Sequence, residues 1–150
     1  MLGVAVVVAT GAFAGSAQAQ APQEPGVTLR TYQFANGPTA TCTLKSGQTP
    51  NVDKLMPNIN WTTEAEFGAN DNFQSTVLAN LNAATAGSYA FRITSDDGSK
   101  LSIDGAVVID HDGLHGDTSK EGTVTLTAGT HALRIDYIEA GGGQVLKLEW

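Results

Sequence analysis

The sequence predicts an all-β protein, an antiparallel β-sandwich or barrel with short hairpins and one long irregular loop region. Three observations carry that expectation. Beyond Trp61 the patterned segments alternate with the two-residue period of a strand, and none recurs at the 3.6-residue period of a helix. Asp97-Gly98 and Asp104-Gly105 are hairpin-type dipeptides seven residues apart, with the alternating run Ser99 to Ile103 between them. Glycine is frequent, 17 of 150 residues, and the short strands lack the helical crossovers that a parallel sheet requires.

In chain order, residues 2–15 are apolar or small and uncharged, and lead to Ala17-Gln18-Ala19, a pattern that signal peptidase cuts. Residues 1–19 are therefore expected to be a signal peptide and the protein secreted. The run is shorter than the ~20 apolar residues of a membrane span, so none is expected. Residues 20–26, with Pro22 and Pro25, read as a flexible linker. The domain then covers 27–150 and opens with a strand from Val27 to Phe34. From Ala35 to Asn60, Pro38, Pro50 and Pro57 break the pattern, leaving a long excursion with at most a short helix near Val52 to Met56. Trp61 to Phe67 reads as extended. Further strands are expected over 73–81, 88–95, 100–103, 106–109, 122–127, 131–139 and 144–150.

Composition narrows the partners. Fifteen acidic residues against eight Lys and Arg give a net charge of -7, the wrong sign for tracking phosphates, which argues against nucleic acid. Export permits disulfides, yet Cys42 is the single cysteine, so no intrachain bridge can form. It reads as a half-buried loop thiol.

Most candidate catalytic features fail on spacing. There is no G-x-S-x-G, P-loop, C-x-x-C or dinucleotide fingerprint. Glu64 and Glu66 would lie roughly 6.6 Å apart on one face of an extended segment, which suits a solvent face better than a glycosidase pair. Asp110 to Glu121 imitates a calcium loop, but Leu114 occupies a ligand position and His115 the required glycine. His111 and His115 lack the helix that would align them on zinc. The Asp96-Asp97 pair is different. A hairpin needs one aspartate before its glycine, so Asp96 is surplus to the turn, and two adjacent carboxylates repel unless donors or a cation neutralise them. Spacing alone leaves a calcium pair and a solvated turn both open.

The residues Asp71-Asn72-Phe73, the run Gly87 to Gly105, Val108-Ile109-Asp110, Leu126 to His131 and Leu146 to Trp150 together resemble the PA-fourteen domain, named after the anthrax protective antigen. The likeness is strong from Phe73 onward and weak across Ala35 to Asn60. It implies a non-catalytic β-sandwich that binds a glycan or polysaccharide. In the lectin members an Asp-Asp pair joined by a cis peptide binds Ca2+, which sugar hydroxyls also coordinate; Asp96 and Asp97 match that pair. The second calcium loop of those lectins matches Glu139, Ala140, Gly141, Gly142 and Gly143, with Glu139 replacing their Asn. The resemblance thus implies Asp96, Asp97 and Glu139 as metal ligands, and Asp96, Asp97 and Ala140 to Gly143 as the ligand-binding surface. The alternative is a structural or protein-interaction module of a larger secreted enzyme or assembly, with no sugar site.

Overall fold

A computed structural model of the chain describes residues 26–41 and 48–150. The expected signal peptide, nearly all of the linker and Cys42 lie outside the described residues. Ten strands form two antiparallel sheets. In chain order they are β1 (Val27–Gln33), β2 (Val52–Met56), β3 (Asn60–Trp61), β4 (Phe73–Ala83), β5 (Gly87–Asp96), β6 (Ser99–Ile103), β7 (Ala106–His111), β8 (Thr118–Leu126), β9 (Gly129–Glu139) and β10 (Val145–Glu149), with one short helix, α1 (Glu64–Phe67), between β3 and β4. The six-stranded sheet has the order β2-β1-β4-β9-β6-β7 and the four-stranded sheet β3-β10-β5-β8. Neither sheet closes on itself, so the architecture is a sandwich and not a barrel. Among the described residues, no helix is long and apolar enough to cross a membrane.

Register places the core. Leu29 faces Val77, Val77 faces Ile135, Ile135 faces Leu101, and Leu101 faces Ile109, an apolar row that spans five strands. All five side chains are buried, and each contributes roughly 1.5–3 kcal/mol relative to exposure. Phe91, Ile93, Leu146 and Leu148 meet this row from the other sheet. Two residues further along, the same register aligns Thr31, Ser75, Tyr137 and Ser99. This row is polar yet fully buried, and its hydroxyls satisfy one another: Thr31 Oγ1 lies 2.8 Å from Ser75 Oγ and donates to the Phe67 carbonyl, and Ser99 Oγ lies 2.8 Å from Ser95 Oγ. The core therefore turns from apolar to polar toward one end of the sandwich.

Three local expectations are corrected. Val52–Met56 is a strand and not a helix: it pairs with β1 at the sheet edge, from Val27 opposite Met56 to Thr31 opposite Val52. Burial alternates along it, with Val52, Lys54 and Met56 half-buried and Asp53 and Leu55 exposed, but V-D-K-L-M does not alternate in polarity, so its pairing with β1, and not its own pattern, makes it a strand. Residues 61–67 are not extended throughout. Thr62 and Thr63 donate their N–H groups to the Glu66 carboxylate at 2.8 and 3.0 Å, and Gly68, at φ 75°, ends the helix they start. Glu64 and Glu66 are thus helix-start residues and not a pair on a strand face. Asp97-Gly98 is no hairpin either. β5 belongs to the four-stranded sheet and β6 to the six-stranded one, so this dipeptide carries the chain across the sandwich.

Asp104-Gly105 does form the expected two-residue hairpin, with positive φ at both residues (51° and 82°) and Ile103 facing Ala106. Its aspartate also fastens the hairpin to β9. Asp104 Oδ2 lies 2.6 Å from His131 Nδ1 and Oδ1 accepts from the Ala132 N–H at 2.9 Å, while His131 Nε2 faces the Thr127 carbonyl. Both imidazole nitrogens thus meet acceptors. The Asp104 hydrogen bond, then the Thr127 carbonyl, hold the His131 pKa above its ordinary 6.5, and the same hydrogen bond holds Asp104 below 3.8. Linkage fixes the sign: the His131 contribution is complete below the unfolded-state pKa and is lost as pH rises through the raised one, and the Asp104 contribution is lost as pH falls through its lowered one. An NMR titration of the imidazole is expected to give a His131 midpoint above 6.5, which Asp104→Asn lowers; an unmoved midpoint would refute the pairing.

Candidate functional site

The end of the sandwich toward which the core becomes polar carries the acidic cluster. Side chains along a strand alternate, so Ile135, Tyr137 and Glu139 of β9 all face inward. Glu139, at the strand's last position, is a fully buried carboxylate. Asp96 ends β5, Asp97 follows it through a cis peptide bond, and the latter is also buried. Asp96, Asp97 and Glu139 each bring a carboxylate oxygen within 4.8 Å of the others. Residues far apart in the chain thus meet because β5 and β9 end side by side in opposite sheets.

Each carboxylate is held by different donors. Asp97 is gripped from both sides: its Oδ1 accepts from the His115 N–H at 3.1 Å and its Oδ2 from the Ala140 N–H at 3.0 Å. At Asp96, burial, then the charges of Asp97 and Asp117, raise the pKa, and the nearby His115 and the Asp117 N–H offset this only in part. Glu139 is pushed up to about 7 by burial, with the Asp97 and Asp96 charges adding, while the Tyr137 hydroxyl and the Gly141 amide pull it part of the way back. Tyr137 has one hydroxyl proton and two acceptors, the Asp96 carbonyl and Glu139 Oε2 at 3.0 Å. Glu139 Oε1 is buried with no partner at hydrogen-bond geometry. A buried carboxylate oxygen without a donor costs free energy unless a proton or a cation sits on it.

Three loops wall the cluster. The glycine loop expected from the sequence is one of them: Gly143 places its Cα so that a Cβ would lie 3.4 Å from Asp96 Oδ2, and Gly142, at φ 111°, donates its N–H to Asp71 Oδ1 at 3.3 Å. The β5–β6 crossover is the second. The third, residues 112–117 between β7 and β8, was not foreseen as part of the site, although it supplies the His115 N–H group to Asp97. From sequence, a calcium loop and a histidine zinc site are both set aside there in favour of a polar loop rim with hydrogen-bonded histidines. The structure bears out neither pattern: His115 Nε2 meets the His111 carbonyl, its Nδ1 the Gly116 carbonyl, and the two rings stack at 4.0 Å. Asp112, a further member missed from sequence, accepts from the Thr41 N–H and hydroxyl at 2.7 and 3.0 Å and from Lys100 Nζ at 3.0 Å. Thr41 belongs to the irregular excursion, which packs at Gly37 against Ala140.

The molecule is thus a two-sheet β-sandwich domain with a largely buried, loop-built acidic site at one end. The chain belongs to the PA14 domain family, whose model matches residues 23–150, the family that the sequence resembles. Among solved structures it is similar to the PA14 domain of the antifreeze protein MpAFP (19% identity, 89% of this chain and 87% of that one, TM-score 0.73). It is similar also to a PA14 sugar-binding domain from an RTX adhesin (21%, 83% and 88%, TM-score 0.69). A third is a subtype-switched epithelial adhesin A domain from Candida glabrata in complex with β-lactose (12%, 82% and 78%, TM-score 0.58). No curated protein matches the sequence.

The wall geometry makes one position testable without a ligand. A Cβ on Gly98 would fall 2.5 Å from the Gly113 carbonyl oxygen and 2.7 Å from its nitrogen, whereas one on Gly116 would meet nothing within 4 Å. Gly98→Ala is expected to lower stability by about 1–3 kcal/mol in urea denaturation, and Gly116→Ala by about 0.5 kcal/mol or less. Equal effects would contradict the close approach of the two loops.

Proposed function

We propose that this chain is a calcium-dependent carbohydrate-binding module, secreted and without catalysis of its own. The observation that carries the reading is the unpartnered buried oxygen of Glu139 beside the Asp96-Asp97 pair. Three carboxylates within 4.8 Å of one another accumulate charge that the surrounding N–H groups only partly offset. Hard carboxylate oxygens suit Ca2+, which takes six to eight oxygen ligands, more than these three side chains supply at one oxygen each. The remaining positions would fall to backbone oxygens, water and vicinal sugar hydroxyls, which can approach past Asp96, the one half-exposed member of the three. When bound, the ion supplies coordination of the sugar hydroxyls. The residues do the rest: Asp97 is oriented by the His115 and Ala140 N–H groups, Tyr137 braces Glu139, and bare glycine backbone leaves room for a ring.

The family and two neighbours support the same reading, since one is a sugar-binding domain and the other was solved with β-lactose. Secretion rests on the apolar leader ending at Ala19. The domain is also similar, over 83% of its length, to 15% of a β-glucosidase chain from Kluyveromyces marxianus. That observation favours the second reading, a module attached to a larger extracellular enzyme or assembly.

Calorimetric titration with Ca2+, followed by a glycan array with and without chelator, decides between them. Calcium is expected to raise the melting temperature, by an amount equivalent to ~2.7 kcal/mol at 100 times its Kd. Asp96→Asn and Asp97→Asn are expected to abolish the shift, and Glu64→Gln to leave it intact. Absence of any calcium-dependent shift in the unmutated protein would overturn the calcium reading and leave the interaction module.

A further inference from the structure

Asp71, Asn72 and Phe73 carry part of the family pattern, and of the three only Phe73 lies in the core. Asp71 and Asn72 are half-buried in the turn between α1 and β4. The turn is fixed by its own contacts: Asn72 sits at φ 58°, its carbonyl accepts from the Phe34 N–H at 2.7 Å, and a Cβ on Gly37 would fall 2.9 Å from its Oδ1. Asp71 is oriented within it. Its Oδ2 accepts from Asn70 Nδ2 at 3.2 Å, and Asn70 in turn accepts from the buried Gln144 through both its carbonyl and its Oδ1. Asp71 Oδ1 takes the Gly142 N–H at 3.3 Å. These contacts close a ring, Gln144 to Asn70 to Asp71 to Gly142, that ties the glycine loop to one turn at two points.

Three consecutive glycines carry more conformational entropy than any other tripeptide, so this loop needs outside bonds to keep one shape. Its amides are shared out in order. Ala140 donates to Asp97 at 3.0 Å, the Gly141 amide stabilises the Glu139 carboxylate, and Gly142 donates to Asp71. The first two acceptors belong to the acidic cluster. Asp71 stands outside the group of carboxylates that meet within 4.8 Å, yet it fixes the residue before Gly143, where a Cβ would lie 3.4 Å from Asp96 Oδ2.

We propose that Asp71 is a positioning residue, holding Gly141 to Gly143 in the shape that meets the three carboxylates and thereby setting their affinity for calcium without ligating the ion. The proposal rests on the calcium reading above. Preorganisation is its physical basis: a loop already fixed by Asp71 has less freedom left to lose when an ion binds beside it. Partners one step removed from the ligands govern metal affinity for the same reason. Asp71 acts here as a hydrogen-bond acceptor and not as a charge. Asp71→Asn separates the two, because the amide keeps an acceptor oxygen for Gly142 and loses the negative charge.

The test measures calcium affinity by calorimetry, and amide hydrogen exchange of the calcium-free protein by NMR, for the unmutated chain, Asp71→Ala and Asp71→Asn. Asp71→Ala is expected to weaken calcium binding about tenfold and to speed exchange at Gly141, Gly142 and Gly143 together, with the amides of β9 protected as before. Asp71→Asn is expected to recover most of both losses. Faster exchange confined to Gly142 overturns the proposal, since one bond would be lost and the loop unmoved. Equal losses of calcium affinity in the two variants overturn it by making Asp71 a remote charge, and lost protection across β9 does so by making it a residue of global stability. Calcium binding that Asp71→Ala leaves unchanged removes this proposal alone. Failure of the unmutated protein to bind calcium overturns the calcium reading and this proposal with it.

Discussion

The two-residue alternation of β9 is the constraint on which the rest depends. Once Ile135 is fixed in the core by Val77 and Leu101, Tyr137 and Glu139 have no choice of face. One strand therefore leads from hydrocarbon through a hydroxyl row to a carboxylate without leaving the interior. The same step occurs on β5, where buried Ile93 and Ser95 precede the aspartates. Both sheets become polar at the same end. The site is the terminus of a gradient within the core, and its burial is a product of strand register.

Burial alone would leave the carboxylates protonated or repelling, so the loops matter as much as the strands. Backbone N–H groups from two walls reach Asp97, and another reaches Asp96. Backbone donors hold a carboxylate in place without bringing a competing cation, unlike a lysine or arginine. Lys100 is occupied with Asp110 and Asp112. Negative charge is thereby left concentrated at the cluster.

Strands β1, β4, β5, β8 and β9 were legible because alternation over seven or more residues has few other readings, and β6, β7 and β10 through the turn signals beside them. The failures share a cause. Val52–Met56 and Glu64–Phe67 are short, and short segments take their state from neighbours: β1 makes the first a strand, whereas the Thr63 and Glu66 capping makes the second a helix. Thr63-x-x-Glu66 was a readable start signal outweighed by the expectation of a strand after Trp61. In the site, Asp96, Asp97 and the glycine loop were legible through surplus charge and through the family pattern. The contributions of His115 and Asp117 were not, because they are made by backbone N–H groups, and every residue except proline has one.

The placement of the site also determines how the domain bears load. On the proposed function, a ligand held by Asp96, Asp97 and Glu139 would pull on the ends of β5 and β9. Each is an interior strand, β5 between β10 and β8 and β9 between β4 and β6. Tension along them must shear two ladders of hydrogen bonds together, and cannot unzip an edge one bond at a time. The long β4 and β9 pairing, in register from Phe73 opposite Glu139 to Ala83 opposite Gly129, spreads that shear over eleven residue pairs. The geometry that buries the carboxylates therefore also anchors them mechanically, as a tether that is strongest along the direction in which a held ligand would be drawn away.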